Sequence, residues 1–294
     1  MRFDSTRAWE RAITWVRGNL GMLFPLAGIF LLLPGLAMNW FTTDLQVALE
    51  SASKASDPGK PNWDMLPLMG QLMMIAMVIS LVQSVGTMAM LVLFANRERP
   101  TVGEALKRGL QCLPTAIAAG LLLALGGMAV MIPLILVAGV IMAILMLVPL
   151  GAVIGGVLVF GGVLAAMMLA FARFFPITAV IAVDGVTNPV AALKRSWQLT
   201  KGNAVSLAFF LFLLFVAYTV IVLTVQALVG LALGVGAAAD AAQLAQGGNV
   251  PRLGLGFVLG LLGAAFGTVL AGVTGAVHEQ LGDTQPNRLG QTFE

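Results

Sequence analysis

The sequence predicts an all-α integral membrane protein with six transmembrane helices, and three observations carry that prediction. The chain is 59% hydrophobic and 10% charged, with a mean hydropathy of +0.97, whereas soluble domains carry roughly 25% charged residues. Charges are excluded from five stretches: Gly18 to Thr43, Met65 to Asn96, Gly109 to Ala172, Gly202 to Ala239 and Leu253 to Val277. Three short basic segments begin alike and lead straight into such stretches: Ala8-Trp9-Glu10-Arg11, Ala105-Leu106-Lys107-Arg108 and Ala192-Leu193-Lys194-Arg195. A membrane-crossing helix needs about 20 apolar residues. Four stretches therefore hold one span each, and the 64-residue third holds two.

The three segments read as a repeat. The second and third share Ala-Leu-Lys-Arg-x-x-Gln, with Gln111 and Gln198 in register, and the first and third close on Arg17-Gly18-Asn19 and Lys201-Gly202-Asn203. Spacings of 97 and 87 residues predict a threefold internal repeat, with units at about 5–96, 101–173 and 187–278 in a single membrane domain, 1–294. Each unit is an amphipathic interfacial helix plus two spans.

The N-terminal helix opposes Arg7, Arg11, Thr14 and Arg17 to Trp9, Ala12, Ile13 and Val16. The apolar run after it, about 24 residues, exceeds a signal-peptide core and ends in no small-x-small cleavage site, so it is expected to stay as the first span. Between Thr42 and Asp64 the chain turns polar around Ser51-Ala52-Ser53-Lys54, which reads as an exposed loop. After the second span, Thr101-Val102-Gly103-Glu104 fits a capping box. It starts a helix with Glu104, Lys107, Arg108 and Gln111 on one face and Val102, Leu106, Leu110 and Leu113 on the other. The long third stretch turns either near Val148-Pro149-Leu150-Gly151, leaving Pro133 inside the third span, or near Ala138-Gly139, placing Pro149 inside the fourth; both are compatible with membrane helices. Phe174 to Val183 is uncharged but too short to span, and extended or interfacial structure is expected there. Asn188-Pro189 then starts the third amphipathic helix, with Lys194, Arg195, Gln198 and Lys201 facing one way and Leu193, Trp197 and Thr200 the other. The last loop, roughly Gly234 to Pro251, is rich in Ala, Gln and Gly.

Charge sets the expected orientation. With six spans, the termini and two loops share one side, and that side holds 13 of the 16 Lys and Arg residues; the other holds only Lys54, Lys60 and Arg252. Basic residues are retained in the cytoplasm, so both termini are expected there, in a cytoplasmic (inner) membrane. The net charge of +3 is then a topology signal rather than a sign of nucleic-acid binding, and anionic headgroups are the expected partner. Trp9, Arg11, Lys107, Arg108, Lys194, Arg195 and Trp197 are the candidate lipid-interface residues.

Little in the spans carries chemistry. They hold no Asp, Glu, Lys, Arg or His, which argues against ion-coupled transport. Ser80, Gln83, Ser84 and Thr87 recur at i, i+3, i+4 and i+7, so they share one face of the second span. That face reads either as a polar groove admitting a headgroup or solute, or as interhelical hydrogen bonding; the second is the commoner use. Gly256, Gly260 and Ala264, and Gly263, Gly267, Ala271 and Gly275, form small-residue ladders on the last span, as does Gly151-x-x-x-Gly155 before Arg173. These read as intramolecular helix contacts. The single histidine, His278, has no ligand cluster around it in sequence and reads as a solvated interface residue. The lone Cys112 excludes an intramolecular disulfide. No metal site, catalytic residue or cofactor is expected.

Ala172-Arg173-Phe174-Phe175-Pro176, Asp184-Gly185, Asn188-Pro189 and Ala192 through Asn203 together form a pattern that resembles the membrane domain found before the catalytic half of some bacterial glycerophosphoryl diester phosphodiesterases, and in stand-alone inner-membrane relatives. The likeness is sharpest from 172 to 203. The catalytic half of those enzymes resembles a TIM barrel with a His-Arg-Gly motif, acidic metal ligands and a second histidine. Here there is one histidine and no His-Arg-Gly, and 17 residues follow Val277, so the resemblance implies a membrane domain without the hydrolase. The expectation is a non-catalytic scaffold or accessory protein contacting lipids or partner proteins. The alternative is an uncoupled transporter or lipid-moving protein using the Ser80–Thr87 groove.

Overall fold

The structure, a computed structural model, describes residues 3–54, 63, 65–95, 100–145, 151–232 and 249–282. These residues are about 92% helical and include no strand. Among the described residues ten α-helices follow in order: α1 Ser5–Gly18, α2 Leu20–Ala27, α3 Leu33–Lys54, α4 Met65–Ala95, α5 Val102–Leu145, α6 Gly151–Phe174, α7 Ile177–Ala182, α8 Pro189–Leu199, α9 Ala204–Ala232 and α10 Asn249–Gly282. Six segments are long and apolar enough to cross a membrane: Leu20–Phe41, Met65–Ala95, Val102–Leu145, Gly155–Ala182, Ala204–Ala232 and Gly254–Gly282. The protein is a multi-pass membrane protein of all-α class.

Two compact units divide the chain, one built of 1–10, 111–213 and 274–294, the other of 11–110 and 214–273. In the second unit the first span departs from a plain helix. α2 and α3 are joined by a π turn, Gly28–Leu32, between Pro25 and Pro34. Pro34 has no N–H to offer the Phe30 carbonyl one turn back, and a wider turn relieves the clash of its ring. Phe30 of that turn sits directly on Gly86 of α4, where any side chain would overlap it. The glycines of α10 meet the same span: Gly260 lies against Leu32 and Leu36, and Gly267 against Leu31. Gly263 instead approaches the Tyr218 hydroxyl of α9, whose ring stacks on Phe266 at 4.1 Å. The ladders are intramolecular contacts here.

In the first unit, Gly155 of α6 packs on Leu145 and Met142 of α5. Cys112 Sγ lies 3.6 Å from the Ile181 carbonyl, and Thr115 Oγ1 donates to the Thr187 carbonyl at 3.0 Å. The N-terminus is held by the Phe3 amide donating to Asn203 Oδ1 at 2.9 Å and by Phe3 against Phe210.

Several expectations are corrected. The polar segment after Trp40 is helical as far as Lys54, because Leu45, Ala48, Leu49 and Ala52 keep helical spacing and Leu45 is buried. Residues 55–62 of the expected loop, and most of the 234–251 loop, lie outside the described residues. α5 runs unbroken through Ala138 and Gly139 with Pro133 inside it, so the alternative turn there is excluded; residues 146–150 lie outside the described residues. At 44 residues α5 is roughly 66 Å long, about twice the hydrocarbon thickness. The 174–183 segment is a buried helical turn, α7, rather than an extended strip. Pro176 ends α6, and a one-turn restart lets Ala179, Val180 and Ile181 bury themselves.

The amphipathic segments also differ from the expectation. α1 and α8 are separate helices, but the middle one is continuous with the third span. The two separate helices end at the Gly-Asn steps, and Gly202 adopts φ 86°, a conformation that favours glycine. In the middle segment Thr115 takes the place of that glycine, and helix continues past Pro114. Within the segments, burial follows side-chain size. The deepest burial falls on Ala8 and Ala12, on Ala105 and Gly109, and on Ala192 and Ser196, while Trp9, Leu110 and Trp197 are exposed. Against lipid a large apolar side chain gains nothing by burial, so close helix contact selects small residues.

Candidate functional site

The best-built polar locality surrounds α8. Asn188 Oδ1 accepts from the Val190 and Ala191 amides at 2.9 and 3.2 Å, and Pro189 fills the first helical position. Before it, Gly185 at φ 67° turns the chain after Asp184. Ser196 and Thr200, both fully buried, donate to the Arg173 backbone carbonyl at 3.0 and 3.3 Å. These bonds occupy an orphan carbonyl near the end of α6 and pin α8 across it.

Side chains complete the arrangement. The Arg173 guanidinium lies 4.6 Å from the Trp197 ring centroid, and Trp197 also packs on Phe174. On the other side, Arg195 Nε lies 3.6 Å from Asp184 Oδ2, and His278 Nε2 lies 3.2 Å from the same oxygen. Burial pushes the Asp184 carboxyl up, but hydrogen bonding and charge from His278, then from Arg195, outweigh it. The group is held below its ordinary value of 3.8.

The candidate interface residues separate into two sets. Trp9, Arg11, Lys107, Arg108, Lys194 and Trp197 are exposed. Arg11 also stands over the Trp15 ring at 5.2 Å, and that ring stacks on Phe94. Arg195 is half-buried, with its guanidinium near Asp184. His278 is a correction: only 12% of its side chain is exposed, so it is an interior partner of an acid rather than a solvated residue. Arg173 was legible only as a topology charge. Its signal was position, a lone cation ending a 64-residue uncharged stretch.

On α4 the hydroxyls of the Ser80–Thr87 face bond within their own helix. Ser80, Ser84 and Thr87 hydroxyls donate to the Met77, Ser80 and Gln83 carbonyls of their own helix at 2.7–2.9 Å. A hydroxyl in apolar surroundings satisfies its hydrogen most cheaply on the carbonyl one turn back. Ser80 is exposed, while Gln83, Ser84 and Thr87 are half-buried. A depression of about 430 Å³ lies elsewhere, lined by Leu36, Asn39, Trp40, Phe41, Gly256 and Phe257. Its wall is mostly apolar and suits an acyl chain better than a solute.

Among the described residues no three His, Cys, Asp or Glu side chains gather where they would hold a metal ion. No protein-family model matches the sequence, and no curated protein or solved structure is significantly similar to it.

Proposed function

We propose that this chain is a non-catalytic scaffold or accessory protein of a bacterial cytoplasmic membrane, contacting anionic lipid and partner membrane proteins through its three basic amphipathic segments. The observation that carries the reading is the exposure of Arg7, Arg11, Arg17, Lys107, Arg108, Lys194 and Lys201 beside apolar spans. Cations and exposed Trp at span ends are suited to the phosphate layer, where each basic residue contributes about 1 kcal/mol near an anionic surface.

The reading includes a threefold repeat and termini on the cytoplasmic side. Equivalent small residues support the repeat. Gly109 sits against Val85 and Ala89 at the end of α4, Ser196 bonds Arg173 at the end of α6, and Ala12 faces Gly272 near the end of α10. The division of basic residues supports the orientation. The 172–203 pattern supports kinship with the membrane domain of the phosphodiesterase family.

Extraction of the protein in polymer-bounded native discs, followed by mass spectrometry of lipids and co-purifying proteins, tests the proposal. Enrichment of anionic lipid over the bulk membrane is expected, and a K107Q/R108Q/K194Q variant should lose much of it. Discs with bulk lipid composition, unchanged by that variant, would count against lipid contact as the role of these segments.

A further inference from the structure

We infer that Arg173 and Trp197, with Lys194 one turn before Trp197, seat the phosphate of one anionic phospholipid. The inference deepens the lipid-contact reading and rests on it. Its starting point is an unmet donor: among the described residues, Arg173 Nη1 is buried and makes no hydrogen bond. No carboxylate among them pairs with Arg173 either, since Asp184 is engaged by Arg195 and His278. An arginine held without an anion at the end of an apolar span is strongly disfavoured unless something outside the polypeptide supplies one.

The surroundings specify what supplies it. The guanidinium is fixed by stacking on Trp197 and by the two hydroxyl bonds that lock its own backbone carbonyl to α8. A fixed planar fork matches the two free oxygens of a phosphodiester. Nη1 itself is enclosed, but the residue as a whole is half-buried, so the phosphate would meet the other edge of the fork, Nε and Nη2. Trp197 is 49% exposed, so the ring beside the guanidinium offers an apolar flank that suits acyl chains. Lys194 is exposed on α8 and adds the second positive charge that favours an anionic over a zwitterionic headgroup. A free phosphate ion would find no use for the apolar flank; a lipid uses both.

Native mass spectrometry of the intact chain in detergent tests this, with phosphatidylglycerol, phosphatidylcholine and inorganic phosphate as separate probes. The wild type should retain one phosphatidylglycerol more firmly than phosphatidylcholine, and no inorganic phosphate. R173Q should weaken that retention about tenfold, as expected for loss of a charge-assisted contact, while R173K should fall between. K194Q and W197L, at exposed positions, should each weaken it several-fold. Melting temperatures identify any variant that fails to fold, in which case K194Q and W197L decide. Unchanged retention in every folded variant of Arg173, Lys194 and Trp197 overturns the site while leaving general lipid contact intact. Equal retention of all lipids by the wild type overturns both. Displacement of the lipid by inorganic phosphate overturns the assignment to lipid.

Discussion

His278 Nε2 stands 3.2 Å from Asp184 Oδ2, so the last span and the turn before α8 share one acid. Arg195 Nε approaches the same oxygen at 3.6 Å. Arg195 and His278 both face this one carboxylate, 23% of whose side chain is exposed. A single carboxylate carries the arrangement.

That carboxylate should make stability depend on acid. Its folded pKa lies below the ordinary 3.8, so its contribution is complete above the unfolded value and is lost as pH falls through the folded one. Partial exposure and solvent screening hold the contribution to roughly 1 kcal/mol. D184N should melt lower than wild type at pH 7, with the difference shrinking below about pH 4. Equal melting at pH 7, or a difference that grows in acid, contradicts the pairing.

Gly109 should tolerate no bulk. A Cβ there would stand 2.9 Å from the Val85 carbonyl and 3.4 Å from the Ala89 amide, both backbone atoms that cannot swing aside. G109L should destabilise by about 1–3 kcal/mol or more. G103L, two turns earlier in open space, should be near neutral. Similar melting of the two variants would remove the close approach of α4 and α5.

Gly202 should resist replacement for a different reason. Nothing crowds it, but its φ of 86° is a left-handed conformation. G202A should therefore lose about 1 kcal/mol, whereas G18A, at the matching step of the first segment, has no such φ and should lose less. A reversed order would mean the two Gly-Asn steps do not end their helices as described.

How much was legible in the sequence depends on which force decides each feature. Exclusion of charge from the hydrocarbon placed all six spans, since a buried charge has no substitute for water. Capping placed the start of α8 at Asn188 and of α5 at Thr101, because those bonds are local. Facing was legible in part. Amphipathic counting put Trp197 and Leu110 on an apolar, lipid-facing side, where they are exposed, but it did not single out the small residues Ala105, Gly109, Ala192 and Ser196 as the buried face. Local extension of helix beyond Phe41 was hidden by the polar Ser-Lys composition that follows. The Asp184–His278 pair was hidden for a plainer reason: no local pattern links residues so distant in sequence.

The isolated protein should hydrolyse no glycerophosphodiester, with or without divalent metal. That reaction needs a metal-held water and acid–base groups placed on the phosphate. His278, the one histidine, is committed to Asp184. Turnover above background that vanishes in H278A would make the chain an enzyme and defeat the scaffold reading.

Membrane topology tests the account most directly, because the basic segments act as proposed only if they share the cytoplasmic face. Single cysteines at Ser5, Ser53, Asn249 and Gln291, placed in a C112A background, are treated in intact cells with an impermeant thiol reagent. Positions 53 and 249 should label at once, and positions 5 and 291 only after the membrane is opened. Protection of position 53 in intact cells, or labelling of position 5, would contradict six spans with both ends inside.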